Sequence, residues 1–319
     1  MKKLLLIKNR SDIGAGTRGA DMGIDAMEIA AINANNDFFH QQEHVDVATH
    51  NESIYLKNTN PFAKRIGHVF DQCERISIAV EKALKAEKFP LVLSGDHSSA
   101  LGTISGIKAA FPEKKLGVIW IDAHADLHSP YTSPSGNIHG MPLAAALGFD
   151  HREEWQNPIE PVTRQYWELM KNLGTDGPKM LPQHLVYFGL RDFEAAEKDC
   201  IDRYQIRTYR VEELRYRGLE ICVKETLESL ESCDMLYISF DVDSMDCDRI
   251  SYGTGTPVPT GLYPEEIMGI MHLLMATHKV VCIEFAEINP LLDNKGNLMA
   301  ETAFRVLENV VSNTLNVQR

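Results

Sequence analysis

Short apolar runs recur along this chain and are separated by longer stretches with helical periodicity. Eight of these runs have the length and composition of β-strands, and they comprise Leu4–Ile7, His44–Val47, Leu91–Ser94, Gly117–Ile121, Leu185–Gly189, Ile206–Tyr209, Met235–Phe240 and Val280–Phe285. Because strand and helix patterns alternate, and the strand runs are apolar nearly throughout, we predict a parallel sheet covered by helices on both faces. The pattern does not separate an open sheet from a closed barrel, and both place functional sites at the carboxyl ends of the strands.

Helical periodicity is clearest in two of the intervening stretches, Ile66–Glu87 and Pro264–Thr277. Each has apolar side chains along one stripe, as expected for a helix packed on a sheet. The predicted inward stripes are Ile66, Phe70, Cys73, Ile76, Ile78, Val80, Ala83 and Leu84 in the first helix, and Ile267, Ile270, Met271, Leu274 and Met275 in the second. The stretch His151–Pro182 breaks the pattern with repeated Pro and Gly, and we interpret it as a helical insertion rather than a domain boundary.

The overall composition is that of an ordinary globular protein and narrows the possible partners. The 319 residues are 44% hydrophobic and 24% charged, and no apolar run approaches the roughly 18 residues of a membrane span. A net charge of −13 repels phosphate backbones, so nucleic acid is not an expected partner. The six cysteines include no C-x-x-C pair, which predicts a reduced, cytoplasmic protein without a zinc knuckle or a disulfide framework.

Clusters of His and Asp follow three of the predicted strands. Gly117–Ile121 leads into Asp122-Ala-His124-Ala-Asp126, and Met235–Phe240 leads into Asp241-Val-Asp243. In extended backbone, a spacing of two residues aims side chains to the same side. A third strand ends in Gly95-Asp96-His97-Ser98. We therefore expect the three clusters to meet at the carboxyl edge of one sheet.

Several carboxylates gathered at an apolar strand end repel one another and are costly to desolvate, so a cation is needed to neutralise them. The candidate metal ligands are His97, Asp122, His124, Asp126, Asp241 and Asp243. Four carboxylates are too many for one tetrahedral zinc, whereas two ions that share bridging carboxylates fit the count. Oxygen-rich ligation with some imidazole and no thiolate favours Mn²⁺ over softer metals.

Several further polar segments accompany these clusters. The chain carries in order Gly95–Ser98, Asp122–Gly140, Gly189–Asp192, Ser239–Asp243, Gly253–Pro257 and Glu287–Pro290, and Gly16–Ala20 precedes them. In sequence and spacing, these segments resemble the arginase, or ureohydrolase, family of binuclear manganese hydrolases. The resemblance covers most of the chain.

The resemblance implies a fold, an assembly and a metal centre. It implies one arginase-like α/β domain over residues 1–319, with an open eight-stranded parallel sheet between two layers of helices, and a homo-oligomer, either a trimer or a hexamer. It also implies two Mn²⁺ ions per chain. By family position, His97 binds one ion and His124 the other, Asp122 and Asp241 bridge the pair, and Asp126 and Asp243 each complete one ion.

The resemblance also implies hydrolysis of a small guanidino substrate, L-arginine, to ornithine and urea. Water shared between two metal ions becomes hydroxide near neutral pH and supplies the nucleophile. By family position, Asp126 orients this hydroxide and Glu287 holds the substrate guanidinium. His139 then relays a proton to the departing amine.

Substrate choice within the family depends on the loops. Ser135 and Asn137 match the arginase positions that bind the α-carboxylate, and Thr256 is a further candidate for substrate binding. His128 stands where arginases usually carry an asparagine, and Glu194 stands where an aspartate holds the α-amino group.

Three alternatives stay open at this point. The first is an agmatinase or another ureohydrolase that acts on agmatine, guanidinobutyrate or formimidoylglutamate. The second is a metal-stabilised binding protein without turnover. The third is a single-zinc deacylase on a similar fold, which a content of two metals per chain would exclude.

Overall fold

The computed structural model describes residues 2–314 of the chain. Its strands are β1 (Leu4–Asn9), β2 (His44–Asp46), β3 (Phe89–Ser94), β4 (Leu116–Ile121), β5 (Leu185–Phe188), β6 (Arg207–Tyr209), β7 (Met235–Asp241) and β8 (Val280–Ala286). All eight strands predicted from the sequence are confirmed, and each differs from its prediction at one end only, by one or two residues.

Eleven α-helices are present within the described residues. They are α1 (Gly23–Asn33), α2 (Phe38–Gln41), α3 (Ile66–Lys85), α4 (Ser99–Ala110), α5 (Pro142–Leu147), α6 (Pro161–Lys171), α7 (Ala195–Tyr204), α8 (Val211–Arg217), α9 (Leu219–Ser229), α10 (Pro264–Met275) and α11 (Leu298–Thr314). The Pro- and Gly-rich stretch contains α6, as predicted, and Pro161 stands in its first turn, where a missing N–H costs nothing. None of these helices is both long and apolar enough to cross a bilayer.

The sheet is open, entirely parallel, and ordered β2-β1-β3-β8-β7-β4-β5-β6. The open form decides between the two arrangements that the sequence pattern allowed. Strands β3 and β4, which are consecutive in the chain, are separated in the sheet by β7 and β8, the last two strands. The four central strands β3, β8, β7 and β4 therefore end side by side. Three of them, β3, β7 and β4, lead into the His and Asp clusters, and β8 leads into Glu287.

Helices cover the two faces of the sheet and form two separate apolar cores. One core joins the sheet to α1, α2 and α8–α11, and the other joins it to α3–α7. The inward stripe predicted for α10 is buried throughout. The stripe predicted for α3 is wrong at Ile78, which is 44% exposed because it lies off the face that Ile76 and Val80 present to α4 and the sheet.

Candidate metal centre and active site

Two central strands end in an aspartate whose side chain folds back onto the backbone. Asp122 Oδ1 accepts a hydrogen bond from the N–H of His124 at 2.7 Å, and Asp241 Oδ1 accepts one from the N–H of Asp243 at 2.8 Å. Such turns bend the chain directly after the strand. The expectation of extended backbone through these clusters is therefore wrong, although the paired side chains still reach one side because of the turn.

The third strand end uses the same turn, and it projects a histidine towards the other two. Asp96 Oδ1 accepts a hydrogen bond from the N–H of Ser98 at 2.8 Å, and His97 lies between them. The His97 ring stacks on Trp120 with 4.1 Å between ring centres, and its Nε2 lies 2.7 Å from Ser239 Oγ. Because both the ring face and Nε2 are held, Nδ1 points in a fixed direction.

Three carboxylates converge on His97 Nδ1. The Oδ2 atoms of Asp122, Asp126 and Asp241 each lie 3.1 Å from it. None of these contacts has hydrogen-bond geometry, so His97 Nδ1 and Asp122 Oδ2 are buried without a hydrogen-bond partner. Buried polar atoms of this kind are rare and call for a specific explanation. One imidazole nitrogen and three carboxylate oxygens around a common point are the donors of a cation site.

A second group of donors shares Asp122 with the first. The ligand atoms of Asp122, His124 and Asp243 lie within 4.8 Å of one another, as do those of His97, Asp122 and Asp126. His124 Nδ1 lies 3.0 Å from Asp243 Oδ2 and 3.6 Å from Asp122 Oδ1. Asp122 therefore contributes a ligand atom to each of the two groups.

The buried carboxylates shift one another's pKa values. Burial raises the pKa of Asp241 well above its usual value, and the nearby Asp243 and Asp122 raise it further. Burial and the charge of Asp122 likewise raise the pKa of Asp126 to about 6. Asp122 differs, because the two adjacent imidazoles outweigh burial and lower its pKa. Within the described chain, no lysine or arginine forms an ion pair with these carboxylates, so a bound cation is the missing counter-charge.

The donor set fits a pair of divalent cations. It consists of the six side chains that the sequence predicted to meet, namely His97, Asp122, His124, Asp126, Asp241 and Asp243, and all but the partly exposed His124 are buried. Carboxylate and imidazole donors without thiolate suit ions such as Mn²⁺ and do not suit thiolate-preferring metals. The two orphaned atoms at the meeting point show that protein groups alone do not satisfy it.

Glu287 and His139 form a buried pair beside the acidic cluster. His139 Nδ1 lies 3.0 Å from Glu287 Oε1, which also accepts a hydrogen bond from the N–H of His97 at 2.9 Å. Burial alone would lower the pKa of His139, but the charge of Glu287 raises it to about 9. His139 therefore keeps its proton through the neutral range. Its ring lines the cavity, and Glu287 lies beneath with 1% of its surface exposed.

The backbone is strained at two of these residues. Asp126 has a φ of 52° and Glu287 a φ of 67°, both in the left-handed region that side chains other than glycine rarely adopt. The N–H of Glu287 donates to the carbonyl of Gly95 at 2.7 Å, and the carbonyl of Asp126 accepts from the N–H of Leu143 at 3.2 Å. These bonds tie each strained residue to a neighbouring loop, and such strain concentrates at functional sites.

A cavity of about 270 Å³ opens above the cluster, and one part of its wall offers hydrogen-bond donors. Asn137 Oδ1 accepts a hydrogen bond from Lys64 Nζ at 3.0 Å, which leaves the amide Nδ2 as the free group. Ser135 Oγ accepts one from the N–H of Asn137 at 3.2 Å, which leaves its hydroxyl proton to donate. Both side chains line the cavity as neutral donors.

Another part of the cavity wall is acidic. His128, Glu194 and Glu197 line it, and His128 Nε2 lies 3.0 Å from Glu194 Oε2 and 3.6 Å from Glu197 Oε2. Thr256 also lines the cavity, but its hydroxyl donates to Asp243 Oδ2 at 2.9 Å. Thr256 thus contacts a candidate metal ligand directly.

Four residues of the site were missed by sequence reasoning. They are Lys64, Trp120, Glu197 and Ser239. Ser239 could have been found, because period-two alternation puts it on the same face of β7 as Asp241. Glu197 also had a signal, because it stands three residues after Glu194 at the start of α7, where the two side chains form a reciprocal cap. Lys64 and Trp120 act through contacts distant in sequence, and no local pattern marks them.

Removing the hydroxyl of Ser239 is expected to weaken metal binding at the His97 position. Ser239→Ala frees Nε2, so the imidazole loses the partner that fixes its tautomer and its ring orientation. Loss of such an outer partner typically lowers metal affinity about 10- to 100-fold. Metal titration followed by calorimetry measures this loss, and turnover at saturating metal should recover most of the wild-type rate. The exposed Ser232→Ala is the matched control, and equal affinity in the two variants would contradict the role.

An open α/β sheet with a carboxylate and imidazole centre at the ends of its central strands is the architecture of a metal-dependent hydrolase. A sequence model described as the Arginase family matches residues 3–312. The chain is 35% identical over 316 residues to an arginase of Bacillus subtilis, covering 98% of this chain and 99% of that one. The chain belongs to the arginase family and is a metal-dependent ureohydrolase.

Solved structures agree with this assignment. The arginase of Bacillus caldovelox superposes with a TM-score of 0.83 at 33% identity, covering 97% of this chain and 98% of that one. Formimidoylglutamase from Bacillus subtilis superposes with a TM-score of 0.73 at 20% identity, covering 98% of this chain and 87% of that one. The second likeness shows the fold alone. Because the same fold supports both enzymes, the substrate has to be argued from the site.

Proposed function

We propose that this protein hydrolyses L-arginine to L-ornithine and urea with two Mn²⁺ ions per chain. The observation that supports L-arginine as the substrate is the pair of hydrogen-bond donors at Ser135 and Asn137. Ser135 Oγ and Asn137 Oδ1 each accept one hydrogen bond within the protein, and the Ser135 hydroxyl proton and the Asn137 Nδ2 amide remain available to donate. Neutral donors in a strongly acidic cavity suit a carboxylate, and Lys64 behind Asn137 adds positive charge. Agmatine has no carboxylate to use them.

The acidic part of the cavity supports the same substrate. Glu194 offers negative charge to an α-ammonium, and no lysine or arginine of the described chain pairs with this carboxylate. Burial raises the pKa of the neighbouring Glu197 to about 8, so Glu194 is the charged member of the pair at neutral pH. A cavity that offers donors for a carboxylate and acceptors for an ammonium suits the α-amino-acid end of arginine. The guanidinium then extends towards the His97 and His124 groups.

The reaction needs a nucleophile, a held guanidinium and a proton for the leaving amine. His97, Asp122, His124, Asp126, Asp241 and Asp243 would hold the two metal ions, which would supply hydroxide near neutral pH by lowering the pKa of water. Asp126 accepts a hydrogen bond from that nucleophile and fixes its direction. Glu287 Oε1 is engaged by two donors, so Oε2 is the oxygen that meets the guanidinium. Held in this way, the guanidinium carbon lies within reach of attack.

His139 supplies the proton. Its ring lines the cavity, and the bond between Nδ1 and Glu287 leaves Nε2 as the nitrogen that faces the substrate side. A pKa of about 9 keeps the imidazolium available at neutral pH. The departing δ-amine takes the proton from Nε2, and ornithine and urea leave.

Substitution of Asn137 by alanine tests the carboxylate contact. We expect kcat/KM for L-arginine to fall by about 1.5–3 kcal/mol, or about 10- to 150-fold, which is typical of one lost charge-assisted hydrogen bond. Hydrolysis of agmatine, if slow turnover is detectable, should fall much less. Steady-state urea release measures both, with the exposed Asn33→Ala as the control. Equal losses on the two substrates would contradict a carboxylate contact at Asn137.

The substrate itself is decided by comparing candidates on one preparation. Urea or ammonia release is measured for L-arginine, agmatine, guanidinobutyrate and formimidoylglutamate with the Mn²⁺-loaded protein. We expect the highest kcat/KM for L-arginine. A higher value for agmatine would overturn the proposal in favour of an agmatinase, and no release from any of the four would favour a binding protein.

A further inference from the structure

His128 is held on both sides of its ring. Nδ1 lies 3.1 Å from Thr132 Oγ1, and Nε2 lies 3.0 Å from Glu194 Oε2. The main chain is fixed as well, because the N–H of His128 donates to the carbonyl of Gly140 at 3.0 Å. The residue is 7% exposed. A buried ring with both nitrogens engaged has a single orientation.

The direction of the hydrogen bonds follows from the neighbours. Thr132 Oγ1 accepts from the N–H of Ser129 at 3.1 Å, and its own proton has two acceptors, Nδ1 of His128 at 3.1 Å and the carbonyl of Ser129 at 3.5 Å. The shorter contact favours donation to Nδ1. Nε2 then carries the ring proton and donates it to Glu194, which as a carboxylate only accepts. A protonated ring also donates from Nε2 to Glu194. The bond to Glu194 therefore exists in either charge state of His128.

Glu194 has one restraint besides His128, because its side chain also accepts a hydrogen bond from the N–H of Glu197 in the reciprocal cap of α7. Its side chain is 58% exposed and forms its ion pair within the described residues with His128 alone. Glu197 is buried, and both of its oxygens accept backbone N–H bonds, Oε1 from Leu127 and Oε2 from Glu194, at 3.0 Å each. A free glutamate loses up to about 2 kcal/mol of rotamer entropy when a ligand orders it. The contact with His128 removes part of this cost before any ligand arrives.

We propose that His128 is a positioning residue that holds Glu194 ready to bind the α-ammonium of the substrate. This inference rests on the proposed function, since it assigns the substrate an ammonium group at the Glu194 end of the cavity. Because Nε2 of His128 donates its proton to Glu194, His128 acts on the substrate by orienting that carboxylate and forms no hydrogen bond of its own to the substrate. His128 thereby sets affinity for substrates that carry an ammonium next to the carboxylate.

A double-mutant cycle with paired ligands tests the assignment. The variants are His128→Phe, which keeps a planar ring and removes the donor, Glu194→Gln, and the two combined. L-Arginine is compared with 5-guanidinopentanoate, which is arginine without its α-ammonium. Each single change is expected to raise KM for L-arginine about tenfold, with a smaller change in kcat. The KM of the double variant should not exceed that of the more impaired single variant. The loss with 5-guanidinopentanoate should be at least about fivefold smaller.

Two further variants separate positioning from folding. His128→Gln restores an N–H donor, so KM for L-arginine should return to within about threefold of the wild-type value. The exposed His40→Phe is the control for introducing the same aromatic ring elsewhere. Losses of equal size on both substrates, additive losses in the double variant, or failure of glutamine to rescue would each overturn the inference.

A binding experiment tests the role of His128 even if L-arginine is not the substrate. Calorimetry of the metal-loaded protein compares L-ornithine with 5-aminopentanoate, which differ only in the α-ammonium, and it needs no turnover. Wild-type protein should bind L-ornithine more tightly, and His128→Phe should remove most of that difference. If this holds while urea release from L-arginine is absent, the proposed reaction fails and the role of His128 stands. Equal binding of both ligands by the wild type overturns the role of His128 whatever the reaction.

Discussion

Replacing Asp122 with alanine is expected to lower urea release by at least about 10³-fold, which corresponds to about 4 kcal/mol of transition-state stabilisation. The carboxylate supplies one oxygen to each group of ligand atoms, so its loss removes a donor from both. Elemental analysis should therefore find well under two metal ions per chain. Loss of His97, which belongs to one group, should empty mainly one position.

Asp122→Asn keeps the size of the side chain and guards against a failure to fold. Because the adjacent imidazoles lower the pKa of Asp122, its charge stabilises the metal-free protein at neutral pH, and the variant should stay folded with a somewhat lower melting temperature. The exposed Asp199→Asn on α7 is the control for loss of a surface carboxylate. A variant at position 122 that keeps two ions and most of its turnover would refute the bridging role.

His139→Ala is expected to lower turnover by about 10²- to 10⁴-fold and to leave the metal content intact. The imidazole lies outside the two groups of ligand atoms, so metal binding does not need it. Since the pair with Glu287 raises the pKa of His139 to about 9, the wild-type enzyme keeps its proton donor up to that pH. The kcat/KM of the wild type should fall above about pH 9, as the donor loses its proton.

The pH profile distinguishes a proton donor from a packing residue. In His139→Ala the falling limb near pH 9 should disappear, and the residual rate should depend only on the nucleophile. His40→Ala, on the surface, serves as the control. Unchanged turnover, or a falling limb that persists in the variant, would show that another group delivers the proton.

The elements of the fold could be predicted because the six inner strands are buried on both faces and therefore read as nearly continuous apolar runs, whereas the edge strands β2 and β6 are more exposed. The order of the strands in the sheet could not be predicted. Gly117–Ile121 follows Leu91–Ser94 in the chain, and nothing local in either run shows that two later strands lie between them. The error at Ile78 has a similar cause, since the sequence defines a stripe but not its width.

The metal-ligand candidates could be predicted because carboxylates directly after an apolar strand are chemically unusual. The local geometry that brings these carboxylates together could not be predicted, because it depends on the side chains of Asp122 and Asp241 turning back to accept backbone N–H bonds. The residues that support the site side chains from other parts of the chain are the hardest to predict. Lys64 reaches Asn137 from the turn before α3, and Trp120 supports His97 from a different strand.

The insertion of β7 and β8 between β3 and β4 bears on how the chain is made. During synthesis, β1 to β6 leave the ribosome before the two strands that join them, so β3 and β4 each present an unpaired apolar edge. Edges of this kind pair promiscuously and invite aggregation, and pairing between strands far apart in sequence is slow. Asp241, Asp243 and Glu287 also emerge late, so the full set of candidate ligands is complete only after the last two strands have been made. Nascent chains of this protein are thus candidates for protection by a chaperone until their last strands arrive.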